Sequence, residues 1–254
     1  MKKYQLFSFA IVLFTFLQSC TITSENTFHK DATTSMLMTI NMKEAMGLVK
    51  GMGEADSPNS AVKFPKYSKN WESLYDSEKK KALENGEKFA PAEDTARVMK
   101  KVFTKMNVDK SGEMEGFSLK YDRLTNAELL TLSAKKTNAN VPMSSSNFGA
   151  WDGKTMVLDL TKINADELMK NDQLPAGGDK EKDNAGMKNM AKMFKMTFLN
   201  TIKFDKKIKT IKGKHDWVTQ KDGHTLLLSV DLGELADDHL KLKNKDSKIT
   251  ITTE

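Results

Sequence analysis

The sequence predicts an α+β fold in which an antiparallel β-sheet carries helices inserted between its strands and packed on one face. Two observations favour this class. Apolar and polar residues alternate with a period of two near the beginning of the chain and, most strongly, near its end, whereas apolar residues with helical spacing occur between these regions. The chain has 254 residues and 39% hydrophobic residues, which is enough for one domain with a modest core.

The predicted strands lie in two regions. Residues Ser24 to Met42 form a predicted hairpin, because apolar residues alternate after a turn near 30–32. In the C-terminal region, Asn200 interrupts an otherwise apolar face, Asp222 and Gly223 mark a second hairpin, and residues 247–252 form a last strand. The core-facing residues predicted from these alternations are Met36, Met38, Ile40, Met42, Phe194, Met196, Phe198, Ile202, Phe204, Leu226, Leu228, Val230 and Leu232.

The predicted helices lie between these regions. Residues Asp94 to Met106 give the clearest helical stripe, and Thr125 to Glu128 has the form of a capping box that opens a short helix ending at Ser133. A strand is expected between them, from Glu115 to Tyr121. We therefore expect one domain over residues 20–254, with flexible insertions near 51–93 and 165–186, where proline, glycine and polar residues break the periodicity.

The N-terminus has the layout of a secretion signal. Lys2 and Lys3 precede an apolar run from Leu6 to Leu17, and Cys20, the only cysteine of the chain, follows directly behind Ser19. This layout resembles a bacterial lipoprotein signal, which implies that residues 1–19 are removed and that Cys20 carries acyl chains such as palmitate. The alternative is a general secretory signal that is cut nearby and leaves Cys20 as a free thiol.

Two further resemblances concern the mature chain. The run from Met196 to Phe204, followed by Ile208, Ile211, the turn at 222–223 and the strand to Leu232, resembles the membrane-proximal domain of LppM-type lipoproteins over roughly residues 194 to 235. The chain also resembles uncharacterised lipoproteins of Bacteroidota, in which a cysteine-anchored hairpin opens the mature protein. Thr21 stands where an aspartate commonly retains lipoproteins in the inner membrane, so the resemblance implies the outer membrane.

The sequence lacks the residues that several kinds of site require. No cysteine follows Cys20, which excludes disulfides within the chain and thiolate metal sites. The four histidines stand apart, and each is expected on the surface; no Gly-x-Ser-x-Gly elbow is present. We therefore expect no catalytic residues, no cofactor and no enzymatic activity. Charges of both signs are interspersed, so a nucleic-acid partner is not expected either.

Two metal hypotheses have weak support. Asn107, Asp109, Ser111 and Gly112 imitate the first half of a calcium loop, but the position of the bidentate acid is Ser118, and a turn explains the sequence without an ion. Four methionines recur at every third residue, with sulfur atoms that suit Cu(I). They are Met187, Met190, Met193 and Met196. A core-facing stripe is the stronger interpretation of this series.

The sequence thus predicts a lipid-anchored cell-envelope protein that acts as a non-enzymatic binding or interaction module. Its expected partners are the membrane, through the lipid on Cys20, and an envelope protein or an apolar small molecule. The first alternative is a carrier whose cavity lies between the methionine-bearing faces of residues 36–42 and 99–106. The second alternative is Cu(I) binding through the methionine series.

Overall fold

The computed structural model describes residues 21–43, 68–134, 149–163, 197–235 and 241–254. The strands are β1 Thr21–Phe28, β2 Thr34–Asn41, β3 Glu72–Ser73, β4 Val102–Val108, β5 Met114–Leu124, β6 Gly149–Trp151, β7 Thr155–Asp159, β8 Thr197–Phe204, β9 Ile208–Lys212, β10 Val218–Gln220, β11 Thr225–Asp231 and β12 Lys248–Thr253. The helices are α1 Leu74–Glu84, α2 Glu93–Met99, α3 Asn126–Ala134 and α4 Leu232–Leu235, with a 3-10 turn at Leu160–Lys162.

The strands form two sheets. Eight of them build a large sheet in the order β10-β11-β8-β1-β2-β5-β4-β3, and four build a small sheet in the order β6-β7-β12-β9. The α+β class is therefore found, with strands as the main component. The prediction of one purely antiparallel sheet is wrong, because β1 and β8 pair in parallel and a second sheet is present. Parallel neighbours need a long connection, and β1 and β8 are far apart in sequence. The alternation within each strand does not show that the two strands pair.

One half of the large sheet is covered by the small sheet. The alternation of β8 and β11 places one face of each strand in a core with side chains of β7 and β12. Near the end of β1, the rings of Phe28, Trp151 and Phe204 contact one another at centroid distances of 5.4 to 5.7 Å. The indole N–H of Trp151 also donates to the carbonyl of His29 at 2.7 Å, which fastens the small sheet to the first hairpin.

The other half is covered by helices. Met36 and Met38 of β2 are buried in one cluster with Leu74 of α1 and with Val98 and Met99 of α2. Leu129 and Leu132 of α3 complete this cluster. The faces that were predicted to enclose an apolar cavity therefore contribute to one packed core in the part of the chain that the structure describes.

The helix predicted from Asp94 to Met106 is wrong in its second half. Helix α2 ends at Met99, and β4 begins at Val102. Val102 and Thr104 are buried, while Phe103 between them faces the other side of the sheet. Over so few residues, the apolar positions fit the period of a helix and that of a strand equally well. Pairing with β5 makes this segment a strand, because β-branched residues pack well on a pleated surface.

The predicted hairpins, the strand from Glu115 to Tyr121 and the capping box are confirmed. β1 and β2 form the first hairpin, β5 contains the predicted strand, and β10 and β11 form the C-terminal hairpin. At the start of α3, the backbone N–H of Thr125 donates to Glu128 at 2.9 Å and that of Glu128 donates to the Thr125 hydroxyl at 3.2 Å, which is the expected capping box. The segment near 51–93 is described from residue 68, where it contains β3 and α1; the segment 165–186 lies outside the described residues. The C-terminal strand is shorter than predicted, because β11 ends at Asp231 and Leu232 begins α4; the predicted core residues Phe194 and Met196 lie outside the described residues.

A polar seam lies where the two cores meet, beside Ile22, which packs against both. The side-chain N–H groups of Asn26 in β1 donate to Asn200 Oδ1 at 2.7 Å and to the Ser24 hydroxyl at 2.9 Å, and all three side chains are buried. Within the described residues, Asn26 Oδ1 and Asn200 Nδ2 have no hydrogen-bond partner. Buried polar atoms without partners destabilise a fold. The seam therefore lowers the stability of the sheet at the place where the two apolar clusters meet.

Candidate binding groove

The face of the large sheet opposite the two cores carries a groove of about 340 Å³. It crosses the centre of the sheet, because cross-strand neighbours in register place Glu25 of β1 beside Leu37 of β2, Leu37 beside Lys120 of β5, and Lys120 beside Phe103 of β4. Its lining residues are Glu25, Thr27, Ser35, Met36, Leu37, Phe103, Lys120, Tyr121 and Asp122. We call this feature the open-face groove.

One end of the open-face groove is apolar and aromatic. Leu37 is 47% exposed, although it lies on a central strand of the large sheet. The ammonium group of Lys120 lies 4.4 Å from the ring centroid of Trp71 and 5.6 Å from that of Phe103, and Lys105 lies 5.3 Å from the Trp71 ring. Such contacts orient the lysines at about 0.5–1 kcal/mol each when exposed. This end therefore combines the exposed apolar side chain of Leu37 with the ammonium group of Lys120, and Lys105 lies beside it.

At the other end, Ser35 and Asp122 line the groove, and a chain of polar groups continues from Ser35 to residues beside the groove. His29 Nδ1 lies 3.1 Å from Asp205 Oδ2, and His29 Nε2 lies 2.8 Å from the hydroxyl of Ser35. That hydroxyl donates to Asp122 at 2.5 Å and accepts the backbone N–H of Arg123 at 3.1 Å. The first hairpin supplies His29 and Ser35, and the ends of β5 and β8 bring the carboxylates. Sequence separations of 87 and 176 residues explain why no local motif reveals this arrangement.

The order Asp205, His29, Ser35 has the connectivity of a hydrolase triad, but the Ser35 hydroxyl has a second carboxylate partner. In a triad, the serine hydroxyl donates to the histidine, which takes its proton. Here the hydroxyl donates to Asp122 at 2.5 Å, and the negative charge of that carboxylate would oppose an oxyanion developing beside Ser35. The arrangement therefore differs from a triad at its serine end.

The calcium-like residues form a plain turn. Asp109 Oδ1 accepts the backbone N–H groups of Ser111 at 2.8 Å and of Glu113 at 3.0 Å, and it also accepts the Ser111 hydroxyl at 2.6 Å. The hydrogen bond from the Ser111 side chain, more than the backbone bonds, holds the pKa of Asp109 below its usual value. Local donors thus satisfy the carboxylate without an ion. No group of three or more histidine, cysteine or acidic residues suited to a metal occurs among the described residues.

The remaining site predictions are placed as follows. Cys20 and the methionine series at Met187, Met190, Met193 and Met196 lie outside the described residues. The expectation that every histidine lies on the surface is wrong for His29 and His215, which are 9% and 8% exposed. In the described ranges, no helix is both long and apolar enough to span a bilayer.

The fold has a counterpart among solved structures. It is similar to the folded domain of the Mycobacterium tuberculosis LppM protein, solved by NMR, with a TM-score of 0.39 and 13% identity over 93% of this chain and 90% of that chain. No protein-family model and no curated protein matches the chain.

Proposed function

We propose that this chain is a non-enzymatic interaction module of the bacterial cell envelope, anchored by acyl chains on Cys20 and binding an envelope protein in the open-face groove. The anchoring part is supported by the layout of residues 1–20, in which a short apolar run leads to the only cysteine. By the resemblance to Bacteroidota lipoproteins, with Thr21 behind the cysteine, the proposed location is the outer membrane.

The exposed apolar floor of the groove carries the binding part of the proposal. Leu37 lies in the middle of the large sheet, where the neighbouring cross-strand positions hold Glu25 and Lys120. An apolar patch rimmed by charges is typical of a protein-binding surface. Sites for small molecules usually enclose most of the ligand, whereas this groove is open along the sheet. An extended segment of a partner protein is therefore the occupant that fits best, with an apolar small molecule as the other outcome of the test.

The non-enzymatic part rests on the arrangement around Ser35. Its hydroxyl proton is bound by the carboxylate of Asp122 and not by a general base of a triad, and one of its two lone pairs accepts the backbone N–H of Arg123. We expect that a fluorophosphonate probe does not label the purified protein at Ser35. Labelling that disappears in the variant Ser35→Ala would contradict this part of the proposal.

Site-specific photocrosslinking in cells tests the groove. A benzophenone amino acid is placed at Leu37, and a matched control is placed at Val157, an outward-facing strand residue of the small sheet that is 38% exposed. We expect a discrete crosslinked protein band from position 37 and none from position 157. Equal crosslinking at both positions, or no product at position 37, would contradict the proposed interface; a small mass increase without a protein band would indicate an apolar small molecule.

Anchoring is tested separately by intact mass measurement. The mature protein should carry acyl mass at Cys20, and Cys20→Ser should release the protein from the membrane fraction, because each buried methylene contributes about 0.8 kcal/mol to membrane binding. A wild-type protein without acyl mass would overturn the anchoring part and leave the groove to be judged by the crosslinks.

A further inference from the structure

No linker separates the proposed lipid from the folded domain. β1 begins at Thr21, the residue directly after Cys20, and it occupies the interior of the large sheet between β2 and β8. Thr21 is in register with Asn41 on one side and with Thr197 on the other. Adjacent Cα atoms are about 3.8 Å apart, so the position of the lipid determines which end of the sheet is nearest to the bilayer.

The register identifies the residues at that end. Asn41 pairs with Gly116 of β5, Gly116 pairs with Asn107 of β4, and Thr197 pairs with Asp231 of β11. The turn at 109–113 between β4 and β5 therefore projects from the same end. We call this end, with the start of β1 and the turn at 109–113, the proximal edge.

The opposite end is formed by the turn of the first hairpin. Seven residues after Thr21, at a rise of about 3.3 Å per residue, β1 ends at Phe28, about 23 Å from the proximal edge. The turn at 29–33 follows, and Arg123 binds Asp31 there at 2.8 Å. We call this end the distal tip.

We propose that the proximal edge rests on the lipid headgroups and that the large sheet rises from the membrane with its distal tip outward. This orientation rests on the proposed anchoring at Cys20. β1 does not serve as a flexible linker between the lipid and the domain, because it is hydrogen-bonded along its whole length to β2 and to β8. The lipid surface is thus the partner of the proximal edge.

The charges at the proximal edge agree with a contact that acyl chains maintain. Lys43 forms an ion pair with Glu115 at 2.8 Å, and Asp231 accepts the backbone N–H groups of Gly233 and Glu234. Asp109 is satisfied by its own turn. Groups that are paired within the protein add little attraction to anionic lipids. Lys110 in the turn at 109–113 is exposed and adds one positive charge, so the contact depends mainly on the lipid on Cys20.

The orientation also places the open-face groove. Glu25 lies four residues after Thr21, about 13 Å along the strand, and Asp122 lies nearer to the distal tip. The groove then opens sideways, above the headgroups, where a soluble or neighbouring membrane-anchored partner reaches it.

Fluorescence quenching tests the orientation. Acylation blocks the thiol of Cys20, so a cysteine introduced elsewhere is the only free thiol of the lipidated protein. Lys110→Cys at the proximal edge and Lys30→Cys at the distal tip are matched exposed lysines in turns. Each is labelled with bimane, and the protein is inserted into phosphatidylcholine vesicles with and without a nitroxide on the lipid headgroup.

We expect the label at position 110 to lose most of its fluorescence in nitroxide vesicles and the label at position 30 to lose little. Equal quenching, or stronger quenching at position 30, in a protein with acyl mass on Cys20 would overturn the orientation alone. A protein without acyl mass would overturn the anchoring and the orientation together, while the crosslinking result at Leu37 would stand.

Discussion

The two halves of the large sheet bury the same face under different layers. Where the small sheet covers it, the described core contains one methionine, Met156, among fifteen buried residues, and most of the others are aromatic or branched. Where helices cover it, four of thirteen buried residues are methionines, namely Met36, Met38, Met42 and Met99. Stacked sheets present regular rows that stiff side chains fill, whereas helices on a sheet leave irregular gaps that flexible thioethers fill. The difference teaches that one strand pattern can serve two kinds of packing.

The largest effect should come from the half between the two sheets. Phe198 is fully buried there, and Phe198→Ala should reduce the free energy of unfolding by about 3–5 kcal/mol. Thr201→Ala on the opposite face of β8 is the control and should stay within about 0.5 kcal/mol. Urea unfolding of both variants measures the effect, and equal losses would show that the two faces of β8 are assigned incorrectly.

In the half of the large sheet that helices cover, a substitution that changes the shape of a buried side chain should cost less stability than one that removes its volume. Met38→Ala should cost about 2–5 kcal/mol, because Met38 is fully buried. Met38→Leu, which keeps the volume, should cost less than about 1.5 kcal/mol. Unfolding midpoints of the two variants test this, and a leucine variant as unstable as the alanine variant would mean that methionine is not acting as an adaptable filler.

Substitutions in the polar seam should change the stability less, and whether they lower or raise it is informative. Asn26→Ala removes the donor to Asn200 and to Ser24 and should cost about 1–3 kcal/mol. The double variant Asn26→Leu with Asn200→Leu should be near neutral or stabilising, because it also removes the two polar atoms that lack partners. Stability is compared by thermal unfolding. A double variant less stable than Asn26→Ala would show that the seam is needed to keep the two cores apart.

The smallest expected effect is a loss of stability at acidic pH, which we assign to His215 in the half of the molecule where the two sheets pack. Burial lowers the pKa of His215 against the opposing influence of Asp216 and Asp246, and its Nδ1 accepts the backbone N–H of Trp217 at 3.2 Å. The unfolded chain therefore binds more protons once the pH falls below the usual histidine pKa of about 6.5, and stability falls with it.

Urea unfolding at about pH 7.5 and pH 5.5 measures this dependence, since these values bracket ordinary histidine titration. The variant His215→Gln should lose less stability between them than the wild type does. An unchanged pH dependence in that variant would assign the acid sensitivity to another group.

Local patterns were sufficient for much of the fold. The turn near 30–32, the hairpin at 222–223, the capping box at Thr125 and the buried face of β8 all follow from residues that are close in sequence. The boundary between α2 and β4 could not be predicted in the same way. The apolar residues from 98 to 106 fit both periods, and only the partner strand β5 decides between them.

The candidate site depended on tertiary structure. Leu37, Lys120 and Trp71 belong to three separate segments, and no pattern within any one of them marks a groove. The same holds for His29, Ser35 and Asp205, because strand register brings together residues whose distance along the chain is arbitrary. Side-chain networks of this kind become visible only when the order of the strands is known.

By itself, the sequence determined the α+β class, the period of most strands, the turns and the position of the only cysteine, because each depends on short-range geometry or composition. Tertiary structure decided the parallel pairing of β1 with β8, the division of one sheet face between two covering layers, and the open face that remains. The physical reason is that backbone preferences act over a few residues, whereas the choice of neighbouring strands depends on how the whole chain buries its apolar surface.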